Sequence, residues 1–294
     1  MAEQHDDGVT EADLAGLFGH RFPGGTYRIA HWENWLLTDC TARAPMADDL
    51  VHPIVLFHAP ILGAGTSIGE LFRLGRASGR SGSVGLLGYD WVYHRPLREE
   101  IDLTVTGGVI SADRRTDPDG RVDDLVAYRI ELADADGPVA QITNRWAFRR
   151  GGPRGAAKTV PDAPFPPEGT PIEPFDVPSV DAARMKTMAA ILRDPYPVHW
   201  DRASNERLGL GGRVINQGPL NLGYVANMLM AWAGDAAVRR LTVSFGPPVL
   251  DGDHVTARGV VTGVVDGIAH CDVWLERDGA PVVRGTAEVV APAG

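Results

Sequence analysis

The same order of features occurs twice along this chain, once on each side of a proline-rich stretch, and this duplication limits the fold more than any other property of the sequence. In the second copy, Asn216-Gln217-Gly218 turns into Pro219 and a helix through about Trp232. Proline suits a first helical turn because it has no N–H to lose there. Leu222, Val225, Leu229 and Trp232 recur at helical spacing and define an apolar face. Leu241–Phe245 then alternates like a strand, and Gly246-Pro247-Pro248 interrupts it. A strand is expected from Val255 to about Val265, followed by two more, Ala269–Arg277 and Pro281–Val290, joined across the hairpin signal Asp278-Gly279.

The first copy repeats this order. His58-Ala59-Pro60 leads into a helix holding Ile61, Ile68, Leu71 and Phe72, and Trp91–Tyr93 precedes Arg95-Pro96-Leu97. Strands are expected at Leu103–Ile110, Leu125–Leu132 and Val139–Phe148, with the last two joined across Asp136-Gly137 and the Asp113–Asp124 stretch looping out. Pro60 matches Pro219 at an offset of 159 and Pro96 matches Pro248 at 152, so the first copy holds a short insertion near Ser78–Ser83. Between the copies, residues 151–178 carry eight prolines among glycines and alanines, which predicts an extended, poorly packed linker. The chain is therefore expected to form two α+β halves, 9–150 and 179–292, each a curled antiparallel sheet on a central helix.

Composition narrows the function classes. A length of 294 residues, 44% of them hydrophobic, is ample for two cores. The formal net charge of −10 argues against nucleic acid and anionic membrane as partners, since both need a basic face. No apolar run approaches the roughly 18 residues of a membrane span. Cys40 and Cys271 are the only cysteines, so neither a disulfide framework nor a zinc cage is expected; with the polar, acidic start, Met1 to Gly8, this points to a cytoplasmic protein.

The chemistry concentrates in Arg193-Asp194-Pro195-Tyr196-Pro197-Val198-His199, with Gly218 nineteen residues beyond His199. Pro195 and Pro197 forbid regular helix and predict a stiff extended turn that aims the Asp194 carboxylate and the His199 imidazole into one pocket. Taken alone, a turn carboxylate and a core histidine describe the pair better than a catalytic couple does. Asp194-Pro-Tyr-Pro-Val-His199 is, however, similar to the Asp-x-Asn-Pro-aliphatic-His signature of MaoC-like enzymes, the (R)-specific enoyl-CoA hydratases and hydroxyacyl thioester dehydratases. Val214-Ile-Asn-Gln-Gly218, Ser244-Phe245-Gly-Pro-Pro248-Val249 and Gly252-Asp253-His-Val255-Thr256 resemble further segments of that family in register. The resemblance covers about residues 180–290, and the first half matches only in layout, as in double hot-dog members in which one half has lost its site.

The resemblance implies a double hot-dog fold and reversible addition of water to an enoyl thioester, with Asp194 and His199 as the acid/base pair and no metal, flavin or nicotinamide. Coenzyme A or phosphopantetheine enters only as part of the substrate. The helix start at Gly218 would supply an N–H to the developing enolate. The chain departs from the pattern in two places. Tyr196 stands where the family has asparagine, and either replaces its hydrogen bond or narrows the substrate pocket. Gln217 stands where the family often has histidine; Asn216 and Gln217 either orient the thioester or cap the helix as solvent-facing amides.

In the first half Asp39 is matched to Asp194, Ala44 to His199 and His58 to Gln217, with His52 nearby, so that half is expected to be a pocket wall built on residues such as Phe57, Leu62 and Phe72. The expected partners are a small acyl thioester, an acyl carrier protein as its alternative carrier, and a second copy of the chain, paired through edge strands and apolar helix faces. A related lyase or thioesterase on the same scaffold, or a non-catalytic acyl-thioester-binding subunit, are the rival readings. Weaker signals are set aside: Gly75-x-x-x-Gly79-Arg80-Ser81 lacks the lysine of a phosphate loop, His94, His254 and His270 lack metal-ligand spacing, and Ser67, Ser83 and Ser204 lack a nucleophile elbow. Trp91, Trp146, Trp200, Trp232 and Trp274 are expected in the core or at an interface.

Overall fold

The computed structural model describes residues 9–46, 49–77, 84–151, 165–207 and 209–292. The first half runs α1 (Glu11–Ala15), β1 (Gly25–Arg28), α2 (His31–Cys40), α3 (Val55–Gly63), α4 (Ile68–Leu74), β2 (Val84–Tyr93), β3 (Asp102–Thr116), β4 (Val122–Asp134) and β5 (Gly137–Gly151). The second runs β6 (Thr170–Val177), α5 (Ala182–Leu192), a 3-10 turn (Pro197–His199), α6 (Arg202–Arg207), α7 (Gly218–Ala233), β7 (Val238–Phe245), β8 (Val255–Val265), β9 (Ile268–Arg277) and β10 (Ala280–Val290). The strands form one antiparallel sheet in the order β1-β3-β4-β5-β2-β7-β10-β9-β8-β6, which reads as one five-stranded order followed by its reverse. The expected two sheets are thus continuous. Their inner edges pair through β2 and β7, with Tyr89 opposite Val243 and Asp90 opposite Thr242. At that junction Asp90 accepts from the Arg240 Nε and Nη2 at 2.9 Å each and from the Thr242 hydroxyl at 2.7 Å.

Each half-sheet curls around one helix. Helix α7 is apolar nearly all round, and almost every residue from Pro219 to Met230 is buried against β6 to β10, as a helix enclosed on all sides must be. Its Gly223 lets it close on the end of α2, because a Cβ there would sit 2.4 Å from Thr41 Cγ2. Two asparagines are admitted to this apolar helix only with partners. Asn227 donates to the Thr41 carbonyl at 2.8 Å and accepts from His52 Nε2 at 2.8 Å. The other His52 nitrogen accepts the Ile54 N–H at 3.0 Å, so burial without a charge partner holds this histidine neutral, its pKa pushed down to about 4.

Four expectations change on contact with the structure. Residues 170–177, placed in the linker, form strand β6. Pro171 and Pro174 are tolerated because β6 is an edge strand, and the register slips between Ile172 and Phe175 around Pro174. The rest of the linker, 152–164, lies outside the described residues, as do Gly79, Arg80, Ser81 and Ser83. The single first-half helix is two: α3 begins at Val55, with Pro60 inside it, and the Ser67 hydroxyl starts α4 afresh by accepting the Glu70 N–H at 3.2 Å. The loop at 113–124 is mostly hairpin, since β3 reaches Thr116 and β4 begins at Val122. Trp200, expected in the core or at an interface, is exposed, which removes it from the core.

Candidate active site

Helix α5 delivers the acid. It ends at Arg193, whose backbone is left-handed (φ 50°), and the Asp194 N–H closes back on the Ala189 carbonyl at 2.9 Å. Pro195 then prevents further helix. The stiff extended turn expected between Asp194 and His199 is instead a single 3-10 turn, with Pro197 in its first position and the Trp200 N–H donating to the Pro197 carbonyl at 3.1 Å. Asn205, buried on α6, donates to the Val198 carbonyl at 2.7 Å and ties the turn down.

The turn brings the two side chains together. His199 Nε2 and Asp194 Oδ2 are 3.8 Å apart, too far for a direct hydrogen bond and close enough for both to reach one intervening oxygen. The far side of the imidazole is fixed: Nδ1 is 2.7 Å from the Ile215 carbonyl oxygen, an acceptor only, so Nδ1 carries a hydrogen and Nε2 faces Asp194. Asp194 Oδ1 accepts the Tyr196 N–H at 2.9 Å. The Asp194 side chain is only 8% exposed, and this burial raises its pKa above the ordinary carboxylate value against the lowering effects of His199 and the Tyr196 N–H. The acid can therefore hold a proton at a pH where an exposed aspartate has lost it.

The segment before α7 is clamped by the Gly252-Asp253 turn. The Asn216 N–H donates to the Val249 carbonyl at 2.7 Å, the Val214 N–H to Asp251 Oδ1 at 2.6 Å, and the Ile215 N–H to the Val198 carbonyl at 2.9 Å. Asp253 accepts from Arg213 at 2.5 Å and from Arg277 at 2.8 Å. Three residues beyond Ile215, Gly218 opens α7, and no acceptor among the described residues takes its N–H. A Cβ at Gly218 would lie 2.6 Å from Leu86 Cδ2 and 3.2 Å from the Phe245 ring, so glycine keeps this helix start approachable between those side chains.

Asn216 and Gln217 are not solvent-facing caps, and their Oδ1 and Oε1 have no hydrogen-bond partner among the described residues. Both are buried; Asn216 Nδ2 donates to Asn221 Oδ1 at 2.7 Å, and Gln217 Nε2 donates to the Met185 carbonyl of α5 at 2.8 Å. Gln217 thus braces α5 against the start of α7. Tyr196 stands between the halves, its ring edge-on to His199 at 5.8 Å and to Phe72 of α4 at 5.7 Å. Of the expected wall residues, Phe72 meets the site through Tyr196, Phe57 is buried against Tyr89, and Leu62 is half-buried on α3. Leu86 and Tyr89 of β2 were missed, since nothing in the sequence marks one strand of the first half as the neighbour of Gly218.

The first half lacks the acid and the helix-start N–H, though not at the positions matched by sequence. The Val51 N–H donates to the Leu97 carbonyl as the Asn216 N–H donates to that of Val249, which equates His52, not His58, with Gln217 and places Pro53 at Gly218. Proline has no N–H to offer. After α2 the left-handed residue is Ala42 (φ 64°), so Arg43, not Asp39, stands where Asp194 does. Arg43 binds Asp235 at 2.5 Å.

Against these coordinates the family described as "MaoC like domain" matches residues 166–274, which span Asp194, His199, Gly218 and Asp253. This segment of the chain is similar to the MaoC-like domain. Solved structures extend the likeness over both halves. The MaoC-like dehydratase of Phytophthora capsici is 15% identical with a TM-score of 0.70, covering 97% of this chain and 98% of that one. A Mycobacterium tuberculosis protein described as having a double hotdog fold is 14% identical with a TM-score of 0.59, covering 97% and 98%. The full-length peroxisomal multifunctional enzyme type 2 of Drosophila melanogaster is 13% identical with a TM-score of 0.64, covering 92% of this chain and 48% of that one. No curated protein sequence matches the chain. The architecture is the double hot-dog, with the MaoC-like domain as its second half.

Among the described residues, no group of three or more His, Cys, Asp and Glu side chains converges as a metal site, and His254 is instead 2.6 Å from Asp176. Cys40 and Cys271 are buried and unpaired, and among the described residues no single helix is long and apolar enough to cross a membrane.

Proposed function

We propose that this chain catalyses the reversible hydration of an enoyl thioester to a 3-hydroxyacyl thioester, carried on coenzyme A or the phosphopantetheine of an acyl carrier protein. The observation that supports this most is the His199–Asp194 pair: an imidazole anchored through Nδ1 on the Ile215 carbonyl, with Nε2 3.8 Å from a buried carboxyl whose pKa burial raises. In the dehydration direction His199 Nε2 takes the proton alpha to the thioester carbonyl. The electron pair moves toward the carbonyl oxygen, where the Gly218 N–H and the start of α7 stabilise the enolate. Asp194 then gives its proton to the departing beta-hydroxyl, which leaves as water. Hydration runs the same steps in reverse. The first half serves as the wall for the acyl chain, beginning at Phe72 and Leu86.

The test is crotonyl-CoA followed by two readouts, loss of the conjugated-thioester absorbance and release of free thiol. Absorbance loss without thiol release, reduced about 100-fold or more by Asp194→Asn and by His199→Ala, is the expected result. Thiol release would move the chain to the thioesterases, and near-normal hydration by both variants would remove the pair from the chemistry.

A further inference from the structure

A row of hydrogen-bonding side chains crosses the inner face of the first-half sheet, where apolar residues would suffice for packing. Tyr89 on β2 stands opposite Asn144 on β5, and Asn144 stands opposite Tyr128 on β4. Directly opposed residues on neighbouring strands share a face, so the three polar groups lie side by side, and all three are buried. The row makes one bond of its own, Asn144 Nδ2 to the Tyr128 hydroxyl at 2.6 Å. Among the described residues the Tyr89 hydroxyl and Asn144 Oδ1 have no partner, and neither has the Nε1–H of Trp91, two residues along β2. The Nε1–H of Trp146, two residues along β5, lies near the Tyr128 hydroxyl without meeting hydrogen-bond geometry. A buried polar group left bare loses its hydration with nothing in return. Several gathered on one face call for a polar occupant.

The row adjoins the catalytic pair on two flanks. On one, Tyr196 meets Phe72, Phe72 meets Trp146 at 5.3 Å, and Trp146 lies 6.0 Å from Tyr128. On the other, Tyr89 meets Phe245 at 5.6 Å, the ring that closes on Gly218. Beyond the row, Leu71, Leu74, Val109 and Val126 line a narrow apolar cleft under α4 together with Tyr128 and Trp146. Burial raises the pKa of both phenols, so they remain donors through neutral and mildly alkaline pH.

We infer that the acyl chain used by this site carries a hydrogen-bonding oxygen, a hydroxyl or a keto group, which seats against Tyr89 and Asn144. The inference rests on the thioester reading of the Asp194–His199 site. A keto oxygen would accept from the Tyr89 hydroxyl and the Trp91 N–H. A hydroxyl would also donate to Asn144 Oδ1. A plain hydrocarbon chain in the same place would leave these groups bare.

The experiment compares enoyl-CoA thioesters of equal length, one plain and the others with a hydroxyl or keto group moved stepwise along the chain. The best oxygenated member is expected to show kcat/KM at least about tenfold above the plain one, the value of one well-made hydrogen bond. Tyr89→Phe, which removes one oxygen, and Asn144→Leu should each lower that preference about fivefold while melting cooperatively. Calorimetry with saturated, unreactive acyl-CoA analogues should give the same order of affinities. Hydration with equal or better use of the plain chain overturns this inference and leaves the dehydratase reading standing, as does a preference that survives both variants. If nothing is turned over, the analogues still decide, since an oxygenated chain that binds no tighter than the plain one overturns it. Failure of every thioester to bind defeats both readings together.

Discussion

His199 Nδ1 lies 2.7 Å from the carbonyl oxygen of Ile215, three residues before the glycine that opens α7. One backbone segment therefore fixes both the tautomer of the imidazole and the position of the N–H expected to meet the enolate. The proposed base and oxyanion donor are set by the same few residues, and displacement of that segment disturbs both.

Asp253 holds the segment in place. It accepts from Arg213, Arg277 and the Leu250 N–H. Burial works against its ionisation, but these hydrogen bonds prevail and lower its pKa. A carboxyl lowered on folding stabilises the native state above its ordinary pKa, and that contribution is lost as pH falls through the lowered value. Asp253→Asn is expected to cost about 1–3 kcal/mol at neutral pH and to reduce turnover by shifting Ile215. Melting curves of variant and wild type should converge in acid.

Asp194 behaves with the opposite sign. Its pKa is raised on folding, so the native chain holds this proton more tightly than the unfolded chain does. Its ionisation therefore removes stability as pH rises from the usual carboxylate range through the raised value. Asp194→Asn should melt higher than wild type at neutral pH while losing about 100-fold or more in turnover, and the gain in melting temperature should vanish in acid. In dehydration assays the wild-type rate should fall on an alkaline limb lying above the normal carboxylate range. A variant that melts lower at neutral pH would assign Asp194 a supporting role in the turn instead.

At Gly218 the side chain itself is the perturbation. The new methyl of Gly218→Ala would press on Leu86 and Phe245. We expect a loss of about tenfold or more in kcat/KM, within the range seen when oxyanion donors are disturbed. Leu86→Ala in the same chain should restore part of it, because the 2.6 Å approach involves the far end of that leucine. Steady-state kinetics of the two single variants and the double variant measure this directly.

His52 tests how the halves are held together. It joins α3 to Asn227 of α7 with both nitrogens in use. His52→Leu leaves the Ile54 N–H and Asn227 Oδ1 without partners and should cost about 2–5 kcal/mol, read as a lower denaturant midpoint. A shift in midpoint under 1 kcal/mol would show that the two groups find other partners.

The second half was legible because its signals are local. Asp278-Gly279 marks a hairpin, Pro219 a helix start, and the runs at 255–265, 269–277 and 281–290 became β8, β9 and β10 nearly to the residue. The pairing of Asp194 with His199 was legible because five residues containing two prolines leave few conformations. The first half was harder. Pro60 looked like the start of a helix but lies inside one, and that error carried His58 into the place that His52 holds. The correspondence appears only through a backbone bond between Val51 and Leu97, a long-range contact that no spacing encodes. Gln217 was half legible for a related reason: an amide beside a glycine turn also reads as a solvent-facing cap until its burial and its bond to the Met185 carbonyl are seen.

The seam between β2 and β7 joins two parts of one polypeptide. Two separate subunits meeting there would part on dilution, and each site would lose the neighbours it borrows across the boundary. Tethering replaces that bimolecular equilibrium with a fixed local concentration. Phe72 and Leu86 therefore stay beside Tyr196 and Gly218 however scarce the protein becomes.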